Sequence, residues 1–340
     1  MSIGSITNLS YLPPRRQQCV NVRASTIAVV TGFGPMEKLS VVVSLITEQN
    51  DYQREQAASA QAAAAKVGAS VQIIYANNDA VQQTQQILQF IQEPSKRPDA
   101  IIVEPVGTGM PQVAKAAVSA GIAWGVINSR VDYLEDLRRR ALVPVFSMLS
   151  DHEEIGRIQG QQIAAILGDE GRVLYIEGPA VGDVARMRSK GMMASKPQKV
   201  SVKTLKGDWT QRSGYNAIRS WLSLSTSREL HIGMVACQND DMAIGARHAF
   251  EEISDTKERD QWLTLPISGC DGVPKAGQSW VRQGRLAATI YSPPLVGDAI
   301  QLLATSRMGG TQPEERTMVA PSSFPALGEL TRKRSASAGL

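Results

Sequence analysis

Cysteine is scarce: Cys19, Cys237 and Cys270 are the three in a chain of 340 residues. Three cannot make a disulfide framework, and Cys237 and Cys270 sit in apolar runs that read as buried strands, where cysteine acts as a small hydrophobe. Histidine is as rare. His152, His231 and His248 lie far apart with no second ligand at metal spacing, so no metal is expected. Aromatic residues make up 5% of the chain, and no apolar run approaches the roughly 20 residues of a membrane span. A basic face is missing as well. The formal charge is +4, but Arg15, Arg16, Arg23, Arg332, Lys333 and Arg334 place six positive charges in two terminal segments that hold no acidic residue. Removing those six from +4 leaves −2 for residues 24–330, so no nucleic-acid partner is expected. A Gly-x-Ser-x-Gly elbow and a Walker lysine are also absent, and no catalytic residue or cofactor is assigned. Gly107-Thr108-Gly109 invites comparison with a phosphate loop, but Gln112 holds the third glycine position and the stretch reads as a tight βα turn.

What is present is alternation. The stretch Val235–Gly245 joins an apolar run to the polar tip Asn239-Asp240-Asp241 and then to helical apolar spacing from Met242 to Phe250. In an open α/β sheet, ligands bind at such carboxyl ends of strands. Similar units recur. Strands are expected at Ser40–Ile46, Val71–Tyr75, Ala100–Val103, Ile122–Ile127 and Val145–Leu149, with helices at Asn50–Val67, Val81–Ile91 and Pro111–Ser119 between them. Glu135–Arg140 reads as a solvated charged insertion. A second array follows, with helices His152–Leu167, Val184–Ser195, Thr210–Leu222, Asp241–Ile253 and Lys275–Arg282. Its strands are Arg172–Ile176, Val200–Leu205, Ile232–Cys237, Leu263–Cys270 and Leu286–Ile290. Helix Val296–Ala304 and an extended piece, Arg316–Val319, close the pattern. Two such arrays imply an α/β protein of two lobes.

The termini read differently. Arg15-Arg16 hints at a twin-arginine signal, but the polar Gln17, Gln18, Asn21 and Arg23 follow where an apolar run should begin. Either the protein stays inside the cell or its start differs from Met1, and Met36 offers an internal start. Residues 331–340 are expected to be a disordered tail.

Four stretches resemble one family. Ala236–Gly245 is similar to its A-x-N-D-x-M-A-x-G pattern, Gly269-Cys270-Asp271-Gly272 to G-x-D-G, and Gly284–Ile290 to G-x-L-x-A-T-I. Ser150-Asp151, with Gly156 and Gly160, is similar to S-D-N-x-x-x-G with His152 in place of Asn. The chain from about Met36 to Leu330 thus resembles the sugar-binding type I periplasmic binding proteins, the family of the ribose binders, whose fold LacI-type effector domains share. The resemblance implies two Rossmann-like lobes with parallel sheets joined by three crossovers. An extension would cover residues 1–36, the N-terminal lobe 37–148 and 294–318, and the C-terminal lobe 149–293 and 319–330.

Carried onto this sequence, the resemblance implies a ligand site. Asn50, Tyr52 and Gln53 stand in the family's N-P-F-F loop, which gives Tyr52 a stacking role. Arg188 matches the R-x-x-G arginine, Arg130 the arginine after the fourth strand, and Trp209 the aromatic floor. Asn239 and Asp271 are polar ligands of the second lobe. The departures are Glu104 in place of Asn, Ser129 in place of Asp, Ser292 in place of Gln, and Gln53 in place of the second aromatic. A stacking partner is lost and a carboxylate gained, so Glu104 and Asp271 suit a polyol, an amino sugar or another ligand with donor groups. The implied function is binding a monosaccharide or related solute for an ABC importer, in the periplasm, as a monomer. An intracellular sensor read by a partner protein, in the cytoplasm, is the alternative, and an enzyme is a third reading. Residues 1–36 hold three prolines, Pro13, Pro14 and Pro35, and no helical periodicity, which does not suit a helix-turn-helix.

Overall fold

A computed structural model describes residues 38–331, except 109, 228 and 229. The twin-arginine stretch, Cys19, Met36, Gly109 and the tail beyond 331 lie outside the described residues.

The first lobe is built on strands β1 (Ser40–Leu45), β2 (Ser70–Tyr75), β3 (Ala100–Val103), β4 (Ala123–Ile127) and β5 (Val145–Ser150). Alternating with them are helices α1 (Asp51–Val67), α2 (Ala80–Gln92), α3 (Pro111–Ser119) and α4 (Leu134–Arg139). The second lobe runs α5 (His152–Leu167), β6 (Glu170–Glu177), α6 (Val184–Ser195), β7 (Lys199–Lys206), α7 (Gln211–Leu222), β8 (Met234–Cys237) and α8 (Asp240–Glu251). It continues through α9 (Thr256–Leu263), β9 (Ile267–Ser268), α10 (Gly277–Arg282) and β10 (Thr289–Tyr291). The chain then returns to the first lobe through α11 (Val296–Gly309) and β11 (Arg316–Val319), and ends against the second with β12 (Ser322–Phe324).

Two parallel sheets result, in the orders β11-β5-β4-β3-β1-β2 and β7-β6-β8-β9, and β12 pairs antiparallel with β10. Every residue of β3, β4, β5 and β8 is buried. That is why these strands read as continuous apolar runs: helices cover both faces of a parallel sheet. Alanines of α1 meet Leu295, Val296 and Ala299 on one face of the first sheet, and Ile87, Val113 and Ala117 fill the other. In the second lobe Ile218, Met242 and Phe250 pack on one face and Ile163 and Met192 on the other. The chain passes between lobes three times, at β5 to α5, β10 to α11 and β11 to β12.

Three features differ from these expectations or add to them. The charged run is solvated as expected, with Glu135, Asp136, Arg139 and Arg140 exposed, but it forms helix α4, and Arg138 Nη1 donates over 2.6 Å to the Val145 carbonyl. The strand expected over Leu263–Cys270 shrinks to Ile267–Ser268, because Asp255 caps α9 through the Glu258 N–H and Trp262 stacks on Phe250 with ring centres 5.3 Å apart. Strand β12 was not anticipated, since a three-residue strand carries too little periodicity to register.

Candidate ligand-binding site

Strand ends of both sheets meet at one cleft, and residues in the loops that follow β1, β3, β4, β7, β8 and β9 supply its walls. On the first-lobe side, Asn50 caps α1 by accepting the Gln53 N–H at 2.9 Å, which turns Tyr52 and Gln53 inward. Glu104 follows β3, and its two oxygens accept from Gln53 Nε2 and Asn128 Nδ2, each at 2.8 Å. Burial pushes this carboxyl up, while the Asn128 and Gln53 amides and Arg188 pull it back. Asn128 follows β4 with φ 61°, and its Oδ1 is buried without a partner.

The second-lobe wall carries the charge. Arg188, on α6, is 3% exposed; Nη1 donates to the Gln238 carbonyl and lies 3.6 Å from Asp271 Oδ1, and its guanidinium sits 5.6 Å from the Trp209 ring centre. Helices α5 and α6 approach closely enough to hold it there. A side chain at Gly156 would meet the Arg188 carbonyl at 2.0 Å, and one at Gly191 would meet the Glu153 carbonyl at 2.0 Å. Asp271 follows β9 at φ 101° and Trp209 follows β7 at φ 73°. With Asn128 they make three non-glycine residues held in left-handed backbone around one cavity, a strain that collects at ligand clamps. Asp240 pins the Asp271 loop by accepting from Gly272 N–H and Thr289 Oγ1, both at 2.7 Å. Asn239 caps α8 with its oxygen and donates to the Trp209 carbonyl with its amide at 2.9 Å. Burial pushes Asp271 up to about 8 despite Arg188, which pulls it down.

The lobes touch around this cavity. Asp51 N–H donates to Asp241 Oδ2 at 2.8 Å, and the Tyr52 ring packs on Val273 and Ala276 while its hydroxyl donates to the Pro293 carbonyl at 3.3 Å. Asn50, Tyr52, Gln53, Glu104, Arg188, Trp209, Asn239 and Asp271 all line the enclosed space, joined by Ile46, Asn128 and Val184. A wider groove beside α7 is open and lined almost wholly by the second lobe, so it lacks the two-sided enclosure.

Three sequence-assigned residues fall elsewhere. Ser129 and Arg130 line a neighbouring groove, Arg130 exposed, because β4 ends at Ile127 and the left-handed turn at Asn128 aims that residue, one position earlier, at the cleft. Ser292 is buried beneath the site, 2.9 Å from Ser150 Oγ. Asn128 was missed by counting the arginine rather than the strand end. His152 was noticed only as a substitution. Its Nε2 lies 2.6 Å from the Asn128 carbonyl and its Nδ1 3.4 Å from Arg188 Nε, so the ring is a neutral bridge from first lobe to second. Burial and Arg188 push it down to about 3.

Residues 41–308 match the periplasmic binding protein domain family. The chain belongs to that family. Among relatives of this periplasmic binding protein, the galactofuranose-binding protein YtfQ of Escherichia coli is 24% identical over 315 residues, 90% of this chain and 95% of that one. The xylitol-binding protein of Mycolicibacterium smegmatis is 31% identical over 219 residues, 63% of this chain and 56% of that one. In structure, a periplasmic solute-binding protein of an ABC transporter from Actinobacillus succinogenes, solved with D-allose, superposes with a TM-score of 0.72 at 22% identity, covering 87% of this chain and all of that one. These relatives are named as binding proteins, not enzymes.

Proposed function

We propose that this periplasmic binding protein closes its two lobes on a monosaccharide or polyol and presents it to the membrane permease of an ABC importer, acting as a monomer in the periplasm. One observation carries the reading: a cavity enclosed by strand ends of both lobes, where Glu104 and Asn128 from one side face Arg188, Asp271 and Trp209 from the other. Hydroxyls need such paired donors and acceptors, and an indole face suits the apolar side of a sugar ring. Because no single lobe supplies the whole set, binding energy becomes available only on closure, which makes the closed form a readable signal. The named ligands of the relatives, galactofuranose, xylitol and D-allose, support the same class.

Thermal unfolding of the full-length chain with pentoses, hexoses and polyols tests this. A ligand at 100 times its dissociation constant adds about 2.7 kcal/mol to the folded state, a rise of several degrees. A rise that Arg188→Ala abolishes is the expected result. A folded protein that responds to none of these solutes would overturn the reading.

A further inference from the structure

The cleft holds more carboxyl groups than cations. Glu104 and Asp271 both line the cavity, 2% and 5% exposed, and Arg188 is the one cation lining it with them among the described residues. Arg130, which would have been a second, lies exposed in the next groove. His152 touches Arg188 but stays neutral. Behind the second wall, Asp240 and Asp241 are buried too, Asp241 receiving Asp51 N–H and Gln211 Nε2, with Asp51 adding a further negative charge and Arg54 beyond it a positive one. An uncompensated buried charge costs several kcal/mol unless it takes a proton or meets a partner.

Hydrogen-bonding capacity points the same way. Each Glu104 oxygen receives one side-chain amide and keeps a lone pair. Asn128 Oδ1, buried in the same wall, has no partner, and turning the amide over would set that oxygen against the carboxylate. Arg188 already spends donors on His152 and the Gln238 carbonyl. The Glu104 oxygens and Asn128 Oδ1 therefore keep open acceptor positions side by side, and a group with donors alone fills them.

We propose that the cleft selects a carbohydrate bearing a protonated amine, an amino sugar or amino cyclitol, over its neutral counterpart, with the ammonium group set between Glu104 and Asn128 Oδ1. An ammonium offers three donors, no acceptor and a positive charge for Glu104, whose side-chain hydrogen-bond partners are neutral amides. Glu104 is then the residue that determines specificity. This rests on the carbohydrate reading above and narrows it.

Calorimetric titration of the full-length chain at pH 6.5 with matched pairs tests both: glucosamine and glucose, galactosamine and galactose, an inosamine and myo-inositol. The expected result is that at least one amine binds ten-fold or more tightly than its hydroxyl partner, and that Glu104→Gln, checked for cooperative unfolding, brings the ratio towards one. The wild-type ratio stands alone if that variant does not fold. Neutral members binding as tightly as the amines would overturn the amine proposal and leave the carbohydrate reading in place. Failure of every member of the pairs to bind would overturn both. An amine preference that survives in folded Glu104→Gln would overturn the placement at Glu104.

Discussion

The two walls of the cleft are built on different principles. The first-lobe wall is a side-chain network in which Gln53 and Asn128 each donate to Glu104 and a helix cap orients the loop. The second-lobe wall is held by backbone. Two of the cavity's three left-handed residues, Trp209 and Asp271, lie there, with Asn128 opposite; Asp240 ties the Asp271 loop down, and glycines let α5 meet α6 and the indole meet the end of β6. A network of neutral amides around one carboxylate tolerates an isosteric exchange, because shape and most hydrogen bonds survive. A wall of strained turns around a buried arginine does not, since each part is held against a cost that the others offset.

The largest effect should come from the charge at the centre of the second wall. Arg188→Ala removes the one cation facing Glu104 among the described residues and the donor to the buried Gln238 carbonyl, and we expect a loss of about 3–5 kcal/mol in stability together with ligand affinity falling on the order of 100-fold. Denaturant unfolding and calorimetry measure the two. A stable variant with unchanged affinity would erase the distinction between the walls.

Next comes Gly178→Ala. Its new Cβ would meet the Trp209 ring at 2.1 Å, so the indole must move, at about 1–3 kcal/mol, and affinity should fall while first-lobe residues stay in place.

The Asp271 carboxyl yields a signed pH effect. Its folded value of about 8 lies above the unfolded value of about 3.9, so the folded protein keeps a proton that the unfolded chain releases. The stability tied to this group is therefore fully present below about pH 4 and is lost as pH rises through 8. Asp241, raised to about 6 first by burial and then by Asp51, adds the same sign over a narrower window. Unfolding temperatures of ligand-free protein should fall with rising pH across this range, and Asp271→Asn should flatten the slope. A slope of opposite sign in the difference between the two proteins would remove the buried negative charge from the account.

The smallest effect is expected at Arg130→Ala, within about 0.5 kcal/mol in both stability and affinity, because the side chain is exposed outside the cavity.

Much of the site was legible in residue order. The polar tip after an apolar run marked Asn239, the family resemblance marked Asn50, Glu104 and Asp271, and all four line the cavity. Where reading stopped short, the cause was geometric. Whether Asn128 or Ser129 enters the cleft depends on where β4 stops and on one left-handed residue, and a shift of one position turns a side chain to the other side. Ser292 failed for a related reason: it follows β10 but spends its hydroxyl on Ser150 beneath the floor. His152 looked like a bare replacement until the fold brought the Asn128 carbonyl to one ring nitrogen and Arg188 to the other, contacts 24 and 36 residues away.

The sequence by itself determined the two α/β arrays, the strand ends that face a ligand and the family. These follow from apolar periodicity, capping residues and short motifs, all of which act between neighbours in the chain. The tertiary structure alone decided which of those polar residues share one enclosed space, that a single arginine there faces two carboxylates, and that a histidine joins the walls. Burial and charge balance are sums over residues far apart in the chain, and only the folded packing of both lobes sets their terms.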